Sequence, residues 1–125
     1  MTNFSSLVGS DFTGYINATT VFGEIQKSVI SKDFKGGKVN NFFGSTVLDF
    51  SNADINGIAV VDISQAFGEI IISVPANWRV EVDLTQLFAA VEDKRMSKYQ
   101  KNGNDKILVL TGISVFANIE LRNAG

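Results

Sequence analysis

Hydrophobic and polar residues alternate along several short segments of this chain. The alternation is strict over residues 79–84 and 118–122, and a period of two is typical of β-strands with one buried face. Segments 69–74 and 107–110 are more continuously apolar and are predicted to be strands covered on both faces. No segment carries the apolar spacing of an amphipathic helix. The pattern therefore predicts an all-β protein.

A Phe followed by Gly or Ala recurs five times among these segments. Successive Phe residues are separated by 21, 24, 21 and 28 residues, and a period in the twenties is typical of solenoid proteins. The five pairs are Phe22-Gly23, Phe43-Gly44, Phe67-Gly68, Phe88-Ala89 and Phe116-Ala117. We expect each Phe to be a buried residue at a corner of the repeat. A ligand-binding role for the Phe-Gly pairs is the alternative.

The small residue after each Phe has two candidate explanations. Positive φ would favour glycine at three of the five corners, but Ala89 and Ala117 fill the same position. Crowding against the next repeat explains all five corners, so we favour it. If the rings are buried, Phe43→Ala and Phe67→Ala should each lower the free energy of unfolding by about 3–5 kcal/mol.

Aligning the repeats on Phe produces columns of similar residues. Three residues after each Phe stand Ile25, Thr46, Ile70, Val91 and Ile119, and five residues after it stand Lys27, Leu48, Ile72, Asp93 and Leu121. Stacked rungs need such columns, because each rung buries its apolar side against its neighbours. Turns at 33–37 and 54–58 begin at the same distance, 11 residues, after Phe22 and Phe43. Trp78 stands at the equivalent position after Phe67, and we expect it to lie in the core.

The predicted fold is therefore a single-domain parallel β-solenoid of about five short rungs. Residues 1–20 are predicted to be an N-terminal cap segment, and residues 21–125 the solenoid itself. A single rung of about twenty residues cannot bury a core alone, so the rungs must fold together.

Composition excludes several classes of chemistry. The chain has no Cys and no His, which excludes thiol catalysis, His-based triads and the usual zinc, copper and haem ligand sets. Its net charge of −2 gives no basic field to attract nucleic acid. We expect no catalytic residues, no cofactor and no metal. The recurring acids Asp49, Asp54, Asp62, Glu69 and Asp83 leave a Ca²⁺-dependent glycan-cleaving enzyme as a distant alternative, but their alternation with apolar residues favours solvent-facing positions.

Residues 92–106 are the most unusual segment. They hold five of the eleven basic residues and stretch the last repeat. As a loop leaving a solenoid rung, the segment is a candidate interaction loop for an acidic partner or phosphate headgroups, and a solvated excursion is the alternative. The candidate residues are Lys94, Arg95, Lys98, Tyr99, Lys101 and Lys106.

The repeats resemble a known family. The stretch from "VFGEIQKSV" to "EDKR", with its "SKDFKGG" turn and "VPANWRVEVD" segment, and the later "KILVLTGISVFANIELRN" are similar to the C-terminal domain of LiaF-like, cell wall-active antibiotics response proteins. This domain is also called the toastrack domain and is related to the soluble part of PspC-type proteins. Relatives usually have Phe-Gly-Gly at the corner, whereas in this chain the second Gly is absent from all five corners.

The resemblance implies a β-solenoid and a non-catalytic regulatory role in bacterial envelope-stress signalling. Its implied partner is a membrane sensor kinase or another envelope-stress component. The charge of the candidate interaction loop separately suggests weak membrane-surface contact. It also implies upstream transmembrane helices; where they precede the domain we expect membrane association, with the cytoplasmic face favoured, and the chain as given is expected to be soluble. A carbohydrate- or lipid-binding cell-surface module is the alternative function, and the oligomeric state is left open.

Overall fold

A computed structural model describes residues 6–11, 14–94 and 106–123. Within these ranges the chain forms β-strands and no helix. The strands are β1 (Ser6–Asp11), β2 (Tyr15–Thr20), β3 (Gly23–Val29), β4 (Gly36–Phe42), β5 (Gly44–Asp49), β6 (Ile58–Ala66), β7 (Glu69–Val74), β8 (Arg79–Leu87), β9 (Ala90–Asp93), β10 (Ile107–Val115) and β11 (Asn118–Asn123). None of the described residues belongs to a helix that is long and apolar enough to cross a membrane.

The strands alternate between two sheets as the chain advances. Sheet A has the order β1-β3-β5-β7-β11-β9 and sheet B the order β2-β4-β6-β10-β8. Within each sheet, every pair of neighbouring strands is parallel. One strand of sheet B and the following strand of sheet A make a rung, so β2–β3, β4–β5, β6–β7, β8–β9 and β10–β11 are five rungs. The predicted parallel β-solenoid is confirmed.

The rungs do not stack in chain order. The last rung, β10–β11, lies between the third and the fourth, because β10 pairs with both β6 and β8, and β11 pairs with both β7 and β9. The longest spacing between Phe residues, 28 residues, falls at this step, between the β8–β9 rung and the β10–β11 rung. That rung therefore ends the stack, and its inward residues Val80, Leu84 and Val91 are only partly buried.

Strand register confirms the two columns predicted from the sequence. Ile25 pairs with Thr46, Thr46 with Ile70, Ile70 with Ile119, and Ile119 with Val91. The column two residues further along pairs in the same order and places Leu48, Ile72 and Leu121 in the core. Each fully buried aliphatic side chain contributes about 1.5–3 kcal/mol. The core lies between the two sheets, and the inward side chains of each rung pack against those of its neighbours.

The recurrent turns form a second, aromatic part of the core. Phe34 and Ile55 occupy the apolar position of the turns before β4 and β6, and both are buried. The Phe34 amide donates to the Asp54 carbonyl across 2.9 Å, which joins the two turns. Phe50 lies with its ring centroid 5.0 Å from that of Phe34 and 5.4 Å from that of Trp78. The prediction that Trp78 is a core residue is confirmed, since it is 1% exposed.

The first twenty residues contribute a strand to each sheet. β1 pairs with β3, and β2 pairs with β4. Buried Ile16 and Ala18 of β2 continue the inward face of sheet B. The segment assigned as an N-terminal cap therefore extends both sheets of the stack at their first edge.

Gly112 provides a test of how tightly the rungs are stacked. Its φ is 116°, and an added Cβ would lie 1.9 Å from the Ile63 carbonyl oxygen of the neighbouring rung. We expect Gly112→Ala to lower the free energy of unfolding by about 2–5 kcal/mol, because a clash of about 1–3 kcal/mol adds to backbone strain of about 1–2 kcal/mol. Urea unfolding curves measure the loss.

Gly57→Ala is the matched control for Gly112→Ala. Gly57 also has positive φ, 97°, but an added Cβ would meet nothing within 4 Å. In this variant the free energy of unfolding should fall by only about 1–2 kcal/mol, the backbone strain of Ala at positive φ. Equal losses in the two variants would contradict the inferred close approach of β10 to β6.

Candidate interaction surface

The five Phe residues stand where the chain passes from sheet B to sheet A. Phe43, Phe67, Phe88 and Phe116 have φ values of 57°, 55°, 52° and 49°, in the left-handed region that bulky residues rarely adopt. At the first corner Gly23 carries the positive φ, 102°, in place of Phe22. A left-handed residue interrupts the alternation of inward and outward side chains along a strand. The Phe and the residue before it consequently both face outward.

The expectation that these rings are buried is wrong. Their exposed fractions run from 50% for Phe67 to 82% for Phe88. The inward position at each corner belongs to the residue two places before the Phe, and this residue is polar in every repeat. In four rungs the structure buries it: Thr20, Asn41, Gln65 and Ser114.

These buried polar side chains satisfy carbonyls of the corner. Asn41 Nδ2 donates to the carbonyls of Gly44 and Glu69, across 3.0 and 3.2 Å. Gln65 Nε2 donates to the Asn118 carbonyl across 2.9 Å, and Gln65 Oε1 accepts from Ser114 Oγ across 2.9 Å. A buried carbonyl without a donor costs about 1–3 kcal/mol. The amides therefore hold the corner in its left-handed conformation and link successive rungs.

Crowding explains the glycine after Phe43 and the glycine after Phe67, as predicted. An added Cβ on Gly68 would lie 2.3 Å from the Gly44 carbonyl oxygen, and one on Gly44 would lie 2.7 Å from that of Gly23. Neither Gly44 nor Gly68 has positive φ. The alternative explanation through positive φ holds at Gly23 alone among the three.

The rings form a continuous ladder on the surface. In spatial order it runs Phe22, Phe43, Phe67, Phe116, Phe88, with centroids 5.6, 5.0, 5.4 and 5.0 Å apart. The planes of the last four rings are within 8° of their neighbours. Each middle ring therefore turns both faces to other rings and presents its edge to solvent. Five rungs at the usual strand spacing give a ladder roughly 19 Å long.

A second apolar column runs beside the ladder. It consists of the residues directly before each Phe: Val21, Phe42, Ala66, Val115 and Leu87. We call these five residues and the five ladder residues the Phe strip. Thirteen large hydrophobic side chains are exposed in the described part of the chain, and eight of them belong to the Phe strip. Such a concentration of exposed apolar surface marks an interaction site more often than chance exposure.

The border of the Phe strip on the sheet A side is acidic. Glu24 and Glu69 lie in the outward column next to the corner, in register with Ser45 between them. Glu69 also lines a shallow cavity of about 310 Å³, together with Ala90, Glu92, Asn118, Ile119 and Glu120. No described cation pairs with Glu24 or Glu69.

Glu120, in contrast, is neutralised within the fold. The Arg122 guanidinium bonds its carboxylate, and Lys94 Nζ lies 3.3 Å away. Arg122, and then Lys94, hold the pKa of Glu120 below its usual value despite its burial. Among the described residues, the negative charge left beside the strip is therefore that of Glu24, Glu69 and partly Glu92, whose carboxylate is 3.8 Å from Lys94 Nζ.

The two ends of the predicted basic loop are engaged in ion pairs. Lys94 pairs with Glu120, and Lys106 pairs with Asp54. The bond from Lys106 and the backbone N–H of Ile55 lower the pKa of Asp54. Asp54 therefore stabilises the fold above its ordinary pKa, and this contribution is lost as the pH falls. Arg95, Lys98, Tyr99 and Lys101 lie outside the described residues, so their interaction role stays a prediction.

The recurring acids do not converge on one site. Asp62 and Asp83 share an outward column of sheet B but are separated by β10, Asp49 bonds the Ser51 amide, and Asp54 binds Lys106. Within the described residues no three His, Cys, Asp or Glu side chains are grouped to hold a metal ion. The geometry thus draws attention to the Phe strip rather than to a carboxylate centre.

The exposure of the ladder changes what loss of a ring should do. Phe50→Ala is expected to lower the free energy of unfolding by about 3–5 kcal/mol, because it empties a fully buried site. Phe67→Ala is expected to lower the free energy of unfolding by only about 1–3 kcal/mol, because two ring stacks of about 0.5–1.5 kcal/mol each are lost. Urea unfolding of the two variants checks the difference, and equal losses would contradict the surface position of the ladder.

Comparison with known families identifies the domain. The family model for the C-terminal domain of LiaF, a cell wall-active antibiotics response protein, matches residues 21–110. No curated protein and no solved structure is similar enough to count as a match. The relation to PspC-type proteins stays a prediction. The model covers most of the chain and four of its five Phe corners, and so this chain belongs to the LiaF-like C-terminal family of cell-envelope stress response proteins.

Proposed function

We propose that this domain is a non-catalytic interaction module that modulates a membrane sensor kinase of the cell-envelope stress response, and that the Phe strip is its contact surface. Membership of the LiaF-like family supports the envelope-stress role. The main support for the Phe strip as the contact surface is the row of five exposed, stacked rings.

Backbone strain supports a role for the rings beyond folding. Four of them occupy the left-handed region, where a bulky residue costs about 1–2 kcal/mol and glycine would cost almost nothing. Ring stacking offsets this cost by about 0.5–1.5 kcal/mol per pair. A chain selected for stability alone has little to gain from Phe at these exposed positions, so the strain points to use of the surface.

The same geometry argues against the alternative surface module. Sugars bind aromatic side chains through a free ring face, but each middle ring of the ladder has both faces turned to its neighbours. Anionic lipid headgroups would meet Glu24 and Glu69 at the border of the strip. A protein partner suits both the edges of the rings and the acidic border.

A reconstituted kinase assay tests the proposal. The sensor kinase of the same envelope-stress system is placed in vesicles, and its autophosphorylation rate is measured with and without this domain. We expect the domain to lower the rate by about fivefold or more, a typical coupling between interacting sites. The variant Phe67→Gln/Phe116→Gln should have lost this effect.

Ile58→Gln/Val60→Gln is the matched control for the kinase assay. Both residues are exposed apolar side chains of β6, at the end of the strand far from the corner. This variant should act like the wild type, with thermal melts showing that both variants remain folded. A kinase rate unaffected by the wild-type domain would contradict the proposed function.

The non-catalytic part of the proposal has its own prediction. Saturating Ca²⁺ or Mg²⁺ should leave the melting temperature unchanged, because the described acids are dispersed over different faces. A resident site filled at 100 times its dissociation constant would add about 2.7 kcal/mol to the free energy of unfolding. A saturable rise that Asp54→Asn or Asp49→Asn abolishes would contradict this prediction and favour a Ca²⁺-dependent enzyme.

A further inference from the structure

The Phe strip and its acidic border together specify the chemistry of a partner. The strip is an apolar ridge, and one side of it carries the carboxylates of Glu24 and Glu69, which have no ion-pair partner among the described residues. We propose that it binds an amphipathic α-helix of a partner protein, whose apolar stripe is flanked on one side by Lys or Arg. This inference deepens the proposed function and rests on it for the choice of partner protein.

The spacing of the ladder favours a helix as the binding element. Neighbouring rings are 5.0–5.6 Å apart, and side chains three or four residues apart on a helix are separated by about 5–6 Å. A helical stripe of four or five apolar residues therefore runs in step with the rings. The roughly 19 Å of the ladder corresponds to about 13 residues of helix.

A β-strand is a poorer match to this surface. Strand addition needs a row of free backbone N–H and C=O groups at a sheet edge. The Phe strip is built from side chains at a corner, and the backbone there is engaged between rungs: the Phe43 amide donates to the Ala66 carbonyl, the Phe67 amide to the Val115 carbonyl and the Phe116 amide to the Leu87 carbonyl.

The two borders of the strip differ in charge, which gives the helix a direction of approach. On the sheet B side the next outward column is uncharged, with Thr19, Asn40, Ser64, Ile113 and Thr85. On the sheet A side stand Glu24 and Glu69, and the cavity beside Glu69 is also lined by Glu92. A basic side chain entering this cavity would meet two carboxylates that are not fully paired within the fold.

Charge also separates this partner from two other occupants. An anionic membrane would bring negative charge against Glu24 and Glu69. A second copy of the chain, turned to face the first with sheet A against sheet A, would oppose these acids to themselves. A cationic amphipathic helix is the occupant for which the apolar ridge and the acidic border are both favourable.

Two synthetic peptides test the inference directly. Both are helical, about 14 residues long, with the same apolar stripe; one carries Lys beside the stripe and the other Glu. Fluorescence anisotropy should show that the Lys peptide binds the wild-type domain about tenfold more tightly, a difference of about 1.4 kcal/mol. The preference should shrink as salt is raised, since these charges are at the surface.

Matched variants separate the two parts of the surface. Glu24→Gln/Glu69→Gln should bind both peptides with similar affinity, whereas Asp62→Asn/Asp83→Asn, which removes the same charge from the outer face of sheet B, should keep the preference. Phe67→Gln/Phe116→Gln should bind neither peptide. Ile58→Gln/Val60→Gln should bind as the wild type does, and thermal melts confirm that each variant is folded.

Other results would overturn the inference in distinguishable ways. Equal binding of the two peptides to the wild type would remove the role of the acidic border. Binding of anionic or zwitterionic vesicles in place of peptide would identify a lipid surface, and sedimentation as a dimer that Phe67→Gln/Phe116→Gln dissociates would identify a second copy. If the kinase responds to the domain but the peptides do not bind, the inference fails and the proposed function stands. If the peptides bind as expected but the kinase does not respond to the domain, the proposed function fails and the helix-binding surface stands.

Discussion

Parallel pairing in register places equivalent residues of successive rungs about 4.8 Å apart, and the remaining features of this molecule depend on that repetition. A favourable contact between neighbouring rungs is repeated along the stack, and so is an unfavourable one. Apolar columns such as Ile70 and Ile119 therefore build the core, while an added Cβ on Gly44 or Gly68 would collide with a carbonyl oxygen of the neighbouring rung. The buried polar residues before the corners are tolerated because they are hydrogen-bonded: the amides of Asn41 and Gln65 donate to backbone carbonyls, and the hydroxyls of Thr20 and Ser114 bond polar side chains of other rungs.

At the corners, unfavourable backbone strain and favourable ring stacking nearly balance in free energy. The left-handed conformation at Phe43, Phe67, Phe88 and Phe116 is unfavourable for a bulky residue, but it turns the ring outward and aligns it with its neighbours. Stacking then recovers energy that an isolated exposed ring would not have. The buried amides of Asn41 and Gln65 lie on the inner side of the corner, where they donate to the backbone carbonyls of Gly44, Glu69 and Asn118. A surface ladder and a buried polar ladder thus maintain the same turn from opposite sides.

The sequence predicts the architecture well because solenoid columns are visible as equal offsets from a repeated residue. Ile25, Thr46, Ile70, Val91 and Ile119 could be aligned without coordinates, and Trp78 could be assigned to the core from its place in the turn. The position of the rings could not be derived from hydrophobicity, because one left-handed residue shifts the alternation of inward and outward side chains along the strand. A signal was present: the residue two places before each Phe is Thr, Asn, Gln, Gln or Ser, and consistent polarity at the expected inward position indicates a hydrogen-bonded corner. The basic loop drew attention by composition, yet its described ends are occupied by ion pairs.

The order of the rungs also escaped prediction, and it determines the continuity of the Phe strip. Spacing along the chain gives no distance between β6 and β10, and only the pairing shows that the last rung enters between the third and the fourth. Phe116 thereby bridges Phe67 and Phe88, each about 5 Å from it. The family match ends at residue 110, before Val115 and Phe116, so the fourth of the five levels of the strip is supplied by a segment beyond the matched region. Without that rung Phe88 would have no ring beside it in the ladder and the cavity next to Glu69 would lose Asn118, Ile119 and Glu120. The C-terminal rung therefore contributes both to the core and to the one surface on which the apolar ridge and the acidic border meet.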